Sequence, residues 1–169
     1  GRRVGELAGK HLKKVALELG GKNALIVLED ADLDGAVCGG AWASWLHQGQ
    51  ICMSAGRHLV HEKIAEAYTR RMVEKAKALP VGDPHRQQVA LGPLITQQQL
   101  ERVDRIVRES VAMGAKLLAG GTHTGRFYAA TVLADVAPGM PVFREEIFGP
   151  VVAITRFADD AQAVALAND

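Results

Sequence analysis

Cysteine is scarce in this chain. Its 169 residues include only Cys38 and Cys52, with no CxxC pair and no Cys/His ligand spacing, so neither a disulfide framework nor a zinc site is expected. An excess of charge of one sign is also missing. Twenty Lys and Arg face 19 Asp and Glu, leaving a formal charge of +1, which supplies no global field to steer nucleic acid or an anionic membrane. No apolar run approaches the roughly 18 residues of a membrane span. The opening GRRVGELAGKHLKK lacks the apolar centre of a secretory signal, and the expectation is a soluble, cytoplasmic protein. Neither G-x-G-x-x-G nor G-x-x-x-x-G-K-[ST] occurs, so no familiar phosphate-binding loop is present. Internal repeats and low-complexity tracts are absent too.

What is there suits a globular core. Hydrophobic residues make up 48% and charged residues 23%, with 18 Gly against 6 Pro, outside the disordered and collagen-like ranges. The chain lacks an initiating Met and opens inside a helical pattern, with Val4, Leu7, Ala8 and Leu12 on one face. It closes on an acidic helix start at Asp159-Asp160. We expect a piece of a longer protein. Between the ends, strand and helix patterns alternate. Ala24 to Leu28 reads as a strand, followed by a helix from about Leu33 to Leu46 behind the acids of 29–32. Leu59-Val60 marks a second strand, before a helix carrying Ile64, Tyr68, Met72, Ala76 and Leu79 that Pro80 ends. Leu100, Val103, Ile106, Val107 and Val111 mark a third helix, closed near Gly114. Lys116 to Leu118, Tyr128 to Leu133 and Val151 to Ile154 complete the strands. The expected fold class is α/β, a mostly parallel sheet with helices on both faces.

Three segments carry candidate chemistry. In GQICMSAGR at 49–57, Cys52 follows a helix and lies among small residues that allow close approach to the backbone. The plain alternative is a small buried hydrophobe. In LELGGK at 17–22, Glu18 stands between two leucines, where desolvation would tune a carboxylate towards general-base work. The plain alternative is a solvated residue at a strand edge. In EEIFGP at 145–150, a carboxylate suits the two hydroxyls of a ribose and an aromatic ring suits a flat heterocycle. The plain alternative is a charged loop.

Taken in that order, LELGGK, GQICMSAGR and EEIFGP closely resemble the signatures of the NAD(P)-dependent aldehyde dehydrogenase superfamily. The likeness extends through Gly92-Pro93-Leu94, residues 114–121 and Tyr128 to Val132, and so over essentially the whole chain. Members are much longer. The resemblance therefore implies that residues 1–169 are a fragment of the thiol-bearing catalytic domain, lacking most of the N-terminal cofactor domain and the C-terminal part, with Gly1 as the last glycine of the family's cofactor loop.

The resemblance also implies roles. Cys52 matches the nucleophile and Glu18 the general base that hydrolyses the thioester. Glu146 and Phe148 match contacts to the nicotinamide-side ribose and ring, and Leu19 a further cofactor contact. NAD or NADP would be the cofactor, an aldehyde the substrate and a homo-oligomer the assembly; nucleic acid, membrane and metal are not expected. The family's second oxyanion donor is an upstream Asn, which Asn23 cannot be. Residues 45–53 look more like relatives acting on aromatic aldehydes of the benzaldehyde and vanillin type than on betaine aldehyde. Gln99 and Arg102 fall where some relatives contact the adenosine ribose, but they lie opposite their helix's apolar stripe and read as a solvated face. His47 reads as a packing, surface or substrate-lining residue, Cys38 as inert on the apolar part of its helix, and Trp42 and Trp45 as core or pocket wall. Two rival readings stand: a catalytically silent fragment, and a non-redox thiol acyltransferase or esterase using Cys52 and Glu18.

Overall fold

The computed structural model describes all 169 residues. Helix α1 (Arg2–Lys10) is followed by an extended segment, then strand β1 (Asn23–Val27) and helix α2 (Leu33–Trp45). A single 3-10 turn (Leu46–Gly49) leads to β2 (Ala55–His61), α3 (Glu62–Ala78), α4 (Gln97–Ala112) and β3 (Lys116–Ala119). A two-strand hairpin, β4 (His123–Thr124) with β5 (Phe127–Tyr128), precedes β6 (Thr131–Ala134), the short helix α5 (Pro141–Arg144), β7 (Val151–Phe157) and α6 (Asp160–Asn168). The helix starts follow local capping chemistry. Asp32 accepts from the N–H groups of Asp34 and Gly35, Thr96 from Gln99 at 3.1 Å and Asp159 from Gln162 at 2.8 Å.

The five-stranded sheet has the order β1-β2-β7-β6-β3, parallel except for β3 at one edge. Its strands are nearly continuous in hydrophobicity because both faces are covered. Along β7, Val151, Ala153 and Phe157 join the core beneath α4, α5 and α6, while Val152 and Ile154 join the core beneath α2 and α3. Leu59 and Val60 of β2 divide the same way. The expected α/β class and its mostly parallel sheet are therefore what the chain forms.

Three expectations need correction. The segment 128–133 is not one strand: Tyr128 pairs antiparallel with His123, whereas Thr131 pairs parallel with Val151. The chain changes partners between them, and Ala129 donates to Thr122 O at 2.9 Å instead of joining either ladder. The apolar stripe of α1 has the right spacing, yet the helix buries no residue and leaves Val4 and Leu7 exposed. Cys38, expected on the apolar part of its helix, is exposed, because Val37 and Gly40 supply the buried side of α2 there. Trp45 is buried, and Trp42 forms a wall of an apolar cavity of about 340 Å³ with Trp45, Leu79 and Leu91.

One polar chain runs through the core beneath α2 and α3. His58 of β2 is fully buried; its Nδ1 lies 2.8 Å from the Tyr68 hydroxyl and its Nε2 2.7 Å from Ser44 Oγ. Ser44 spends its single proton on Ala55 O at 2.8 Å, so His58 Nε2 must be the donor to Ser44 and Nδ1 the acceptor from Tyr68. Burial pushes the imidazole pKa down to about 3, with Lys22 adding to the effect, and pushes the Tyr68 phenol up. The unfolded chain therefore binds one more proton at His58 than the folded chain between roughly pH 6.5 and 3, and stability falls as pH drops through that window. We expect a contribution of up to about 1.4 kcal/mol per pH unit there. Urea midpoints should show a steeper acid loss for the parent chain than for His58→Gln. Equal slopes would remove His58 from the account.

Candidate active site

The three signature segments converge at the amino ends of β1, β2 and β7. Asn23, first residue of β1, donates its side-chain amide to Cys52 O at 2.8 Å and to Ser54 O at 3.3 Å. The amide is thus spent on fixing the turn that carries the thiol. Ser54 Oγ closes the same loop by donating to Gly49 O at 3.2 Å. Cys52 itself is exposed, and its backbone N–H is engaged by no acceptor within the chain. A thiol beside an unspent backbone donor has the form an acyl-transfer site requires.

The approach to this turn is strained. His47 and Gln48 adopt left-handed backbone angles (φ 49° and 59°), followed by Gly49 at φ 67°. A side chain at Gly49 would overlap the Gly149 carbonyl, so the segment before the thiol lies directly on the end of EEIFGP. His47 is exposed, and no hydrogen bond joins it to Cys52.

Glu146 is brought to LELGGK. Its carboxylate accepts from Gly21 N at 3.3 Å, and a Cβ at Gly20 would stand 2.5 Å from that carboxylate. One hydrogen bond leaves most of the carboxylate's lone pairs for another ligand. Phe148 has a left-handed backbone (φ 54°) and a partly exposed ring. Leu19 is exposed with its side chain against Gly1. Glu18 lies in the fully exposed segment 11–20, and the neighbouring Leu17 and Leu19 are themselves exposed. Nothing within the chain takes the Glu18 carboxylate out of water, contrary to the desolvation expected from its neighbours. No hydrogen bond joins the Glu18 and Cys52 side chains.

Gln99 and Arg102 are not the solvated face expected of them. Gln99 Nε2 donates to Ile147 O at 2.9 Å and Phe148 O at 2.8 Å, and Arg102 donates to Ile147 O at 2.9 Å. Arg102 and Arg105 also pair with Glu145. The polar side of α4 is a clamp on the loop bearing Glu146 and Phe148, and the side-chain amide of Gln99 secures the strained turn at Phe148. Apolar periodicity locates a helix's buried stripe but is silent about what its polar side grips.

Arg57, the last residue of GQICMSAGR, is a second clamp. Its guanidinium lies 5.0 Å from the Phe143 ring centroid and donates to Lys22 O at 2.7 Å, Leu166 O at 3.0 Å and Ala167 O at 3.2 Å. A cation on the last carbonyls of α6 is favoured by the helix dipole. No helix is long and apolar enough to cross a membrane, and no group of three His, Cys, Asp or Glu side chains is placed to hold a metal ion.

This arrangement is an α/β domain whose thiol turn, carboxylate loop and diglycine segment interlock. The aldehyde dehydrogenase family model matches residues 1–169, and the chain belongs to that family. It is 55% identical over 168 residues to the benzaldehyde dehydrogenase [NAD(+)] of Pseudomonas putida, covering 99% of this chain and 34% of that protein. It is 51% identical to the vanillin dehydrogenase of an Amycolatopsis species, covering 100% of this chain and 35% of that one. The crystal structure of a salicylaldehyde dehydrogenase from Pseudomonas putida G7, complexed with salicylaldehyde, superimposes with a TM-score of 0.94 at 41% identity, covering all of this chain and 35% of its own. The chain thus spans about a third of the length of these relatives.

The backbone constraint at Gly49 is testable. Gly49→Ala meets both the left-handed φ and the Gly149 carbonyl, and we expect it to cost about 2 kcal/mol or more. Gly9→Ala, in α1 with open space around it, should stay within about 0.5 kcal/mol of the parent. Urea denaturation of the two variants checks the contrast.

Proposed function

We propose that the whole protein of which this chain is the thiol-bearing part of the catalytic domain is a cytoplasmic, homo-oligomeric enzyme. It oxidises an aromatic aldehyde to the carboxylic acid with NAD or NADP. The observation that carries this reading is the interlocking of the Cys52 turn with the Glu146–Phe148 loop, around a backbone donor with no other use. The identity to benzaldehyde and vanillin dehydrogenases supports an aromatic substrate. The exposed apolar residues at the sheet edges, Ile26 of β1 and Leu117 of β3, support association through strands.

In this reading the Cys52 thiolate attacks the aldehyde carbon, and the Cys52 N–H donates to the oxygen as negative charge develops there. The residues present fit a dinucleotide. Glu146 has lone pairs free for ribose hydroxyls, Phe148 offers a ring face, and the bare Gly20 lets the carboxylate lie against the backbone there. When bound, the dinucleotide supplies the hydride acceptor. Cys52 is then acylated as a thioester. Glu18 takes a proton from water, the hydroxide attacks the thioester carbonyl, and the acid leaves as the Cys52 sulfur recovers its electron pair. Because nothing in this chain shields Glu18, that step also needs cover from the rest of the protein.

The full-length protein with benzaldehyde and NAD provides the test. Cys52→Ala should abolish NADH formation. Glu18→Gln should retain a single burst of NADH while steady turnover falls by about 10²- to 10⁴-fold. Aldehyde oxidation by Cys52→Ala would overturn the reading, and dinucleotide-independent hydrolysis of an activated ester, without NADH formation in the parent, would favour a non-redox thiol enzyme.

A further inference from the structure

Lys22 closes LELGGK, yet its side chain does not follow the exposed segment that precedes it. The stem turns inward and lies against Gly56, in the space a β-carbon there would fill. Its Nζ is sealed from solvent and has no hydrogen-bond partner in the protein. A buried, unpartnered amine is costly and calls for a partner. Lys22 also belongs to the lining of a cavity of about 20 Å³, with Gly21, Ser44, Ser54, Gly56 and Glu146 among others. That volume admits one water molecule and nothing larger. The lining is polar on several sides. Ser54 Oγ donates to Gly49 O and keeps lone pairs to accept with, Glu146 accepts only from Gly21 N, and Lys22 Nζ has its hydrogens to give. An internal water needs two to four such partners, and they are present.

We propose that this cavity is a single-water site built around the Lys22 amine, and that the Lys22–water pair is a positioning element for the Glu146 carboxylate. Each of the three signature segments contributes to its walls: Gly21 and Lys22 from the first, Gly49, Ile51, Ser54, Ala55 and Gly56 from the second, Glu146 to Gly149 from the third. The lysine acts through Glu146 and the loop, touching no substrate itself.

The charge on the amine is finely balanced. Burial lowers the Lys22 pKa to about 7, assisted by Arg57 of β2 and Arg102 of α4 and opposed by Glu146 and Glu145 of the loop before β7. No other charged group is among the causes of the shift. Below about pH 7 the ammonium attracts and orients Glu146; above it the neutral amine keeps the water but loses that attraction. On the functional reading given above, from which this consequence follows, Glu146 meets the cofactor ribose. The affinity for the dinucleotide should therefore weaken as pH rises through the neutral range.

The experiment compares the full-length parent with Lys22→Met, which keeps the stem and removes the nitrogen. A high-resolution crystal structure of the parent should show one ordered water within hydrogen-bond distance of Lys22 Nζ, and Lys22→Met should lack it. In steady-state kinetics, the KM for NAD of the parent should rise several-fold, about 3- to 10-fold, between about pH 6 and pH 9. Lys22→Met should show the high KM throughout, with kcat within about twofold. A merely structural lysine would change kcat and KM together, by a factor independent of pH, and that result overturns the proposal. So does a parent structure in which Nζ pairs directly with Glu146 and no water lies between the loops. Should Lys22→Met fail to fold, the parent's water and its KM profile still decide. A parent with no dehydrogenase activity would sink the functional reading alone, leaving the water site to the crystal structure.

Discussion

A thiol on an irregular loop is held in one conformation only by contacts that reach it from outside, and here the first of them is a side-chain amide. Asn23 reaches from the first residue of β1 to the carbonyls of Cys52 and Ser54. It transfers the rigidity of the parallel sheet to a turn that has no ladder of its own. The residues before the turn are forced into left-handed backbone angles and the Gly49–Gly149 approach leaves no room for slack. Such strain persists only where surroundings over-determine it. Ser54 with Gly49 closes the loop, Ser44 with Ala55 anchors its exit, and Gln50 accepts from Ile95 N at 2.9 Å to tie it to the loop before α4.

The carboxylate loop is fixed by an independent set of polar contacts. Glu145 is held by Arg102 and Arg105, the carbonyls of Ile147 and Phe148 by Gln99, and Glu146 by Gly21. Adjacent acids therefore do different work. Glu145 is engaged by two guanidiniums, whereas Glu146 keeps most of its hydrogen-bonding capacity. Exposed ion pairs contribute little to stability one at a time, so the value of this network lies in orienting a loop more than in holding the domain together. That second task belongs to the two cores on either side of β2, β7 and β6 and to the Arg57 clamp.

Much of the architecture was legible in the sequence because parallel strands covered on both faces read as unbroken apolar runs, and helices such as α3 and α4 as stripes. What escaped was information that periodicity does not hold. The polar face of α4 looks like any solvated face until the loop packed on it is known, which is why Gln99 and Arg102 were misread. Glu18 between two leucines looks desolvated, yet burial depends on what lies above the segment in space, and nothing in this chain does. The partner change between Tyr128 and Thr131 is a tertiary choice with no local breaker stronger than two alanines. His47 and Gln48 carry no glycine to announce their left-handed turns. Lys22 stood within a segment singled out for Glu18, and only the three-dimensional approach to Gly56 gives it a place.

The sheet order has a further consequence for how the protein comes into being. β7, the middle strand, is the last of the seven strands to be synthesised, and β2, its neighbour on one side, precedes it by some 90 residues. Strand β2, which follows the thiol turn, therefore waits on the ribosome with one flank unpaired until almost the whole of this stretch has emerged. Such long-range pairing is slow and leaves sticky edges open to other nascent chains, so the organisation that braces the Cys52 turn in the finished molecule also makes its birth the most vulnerable moment of its life.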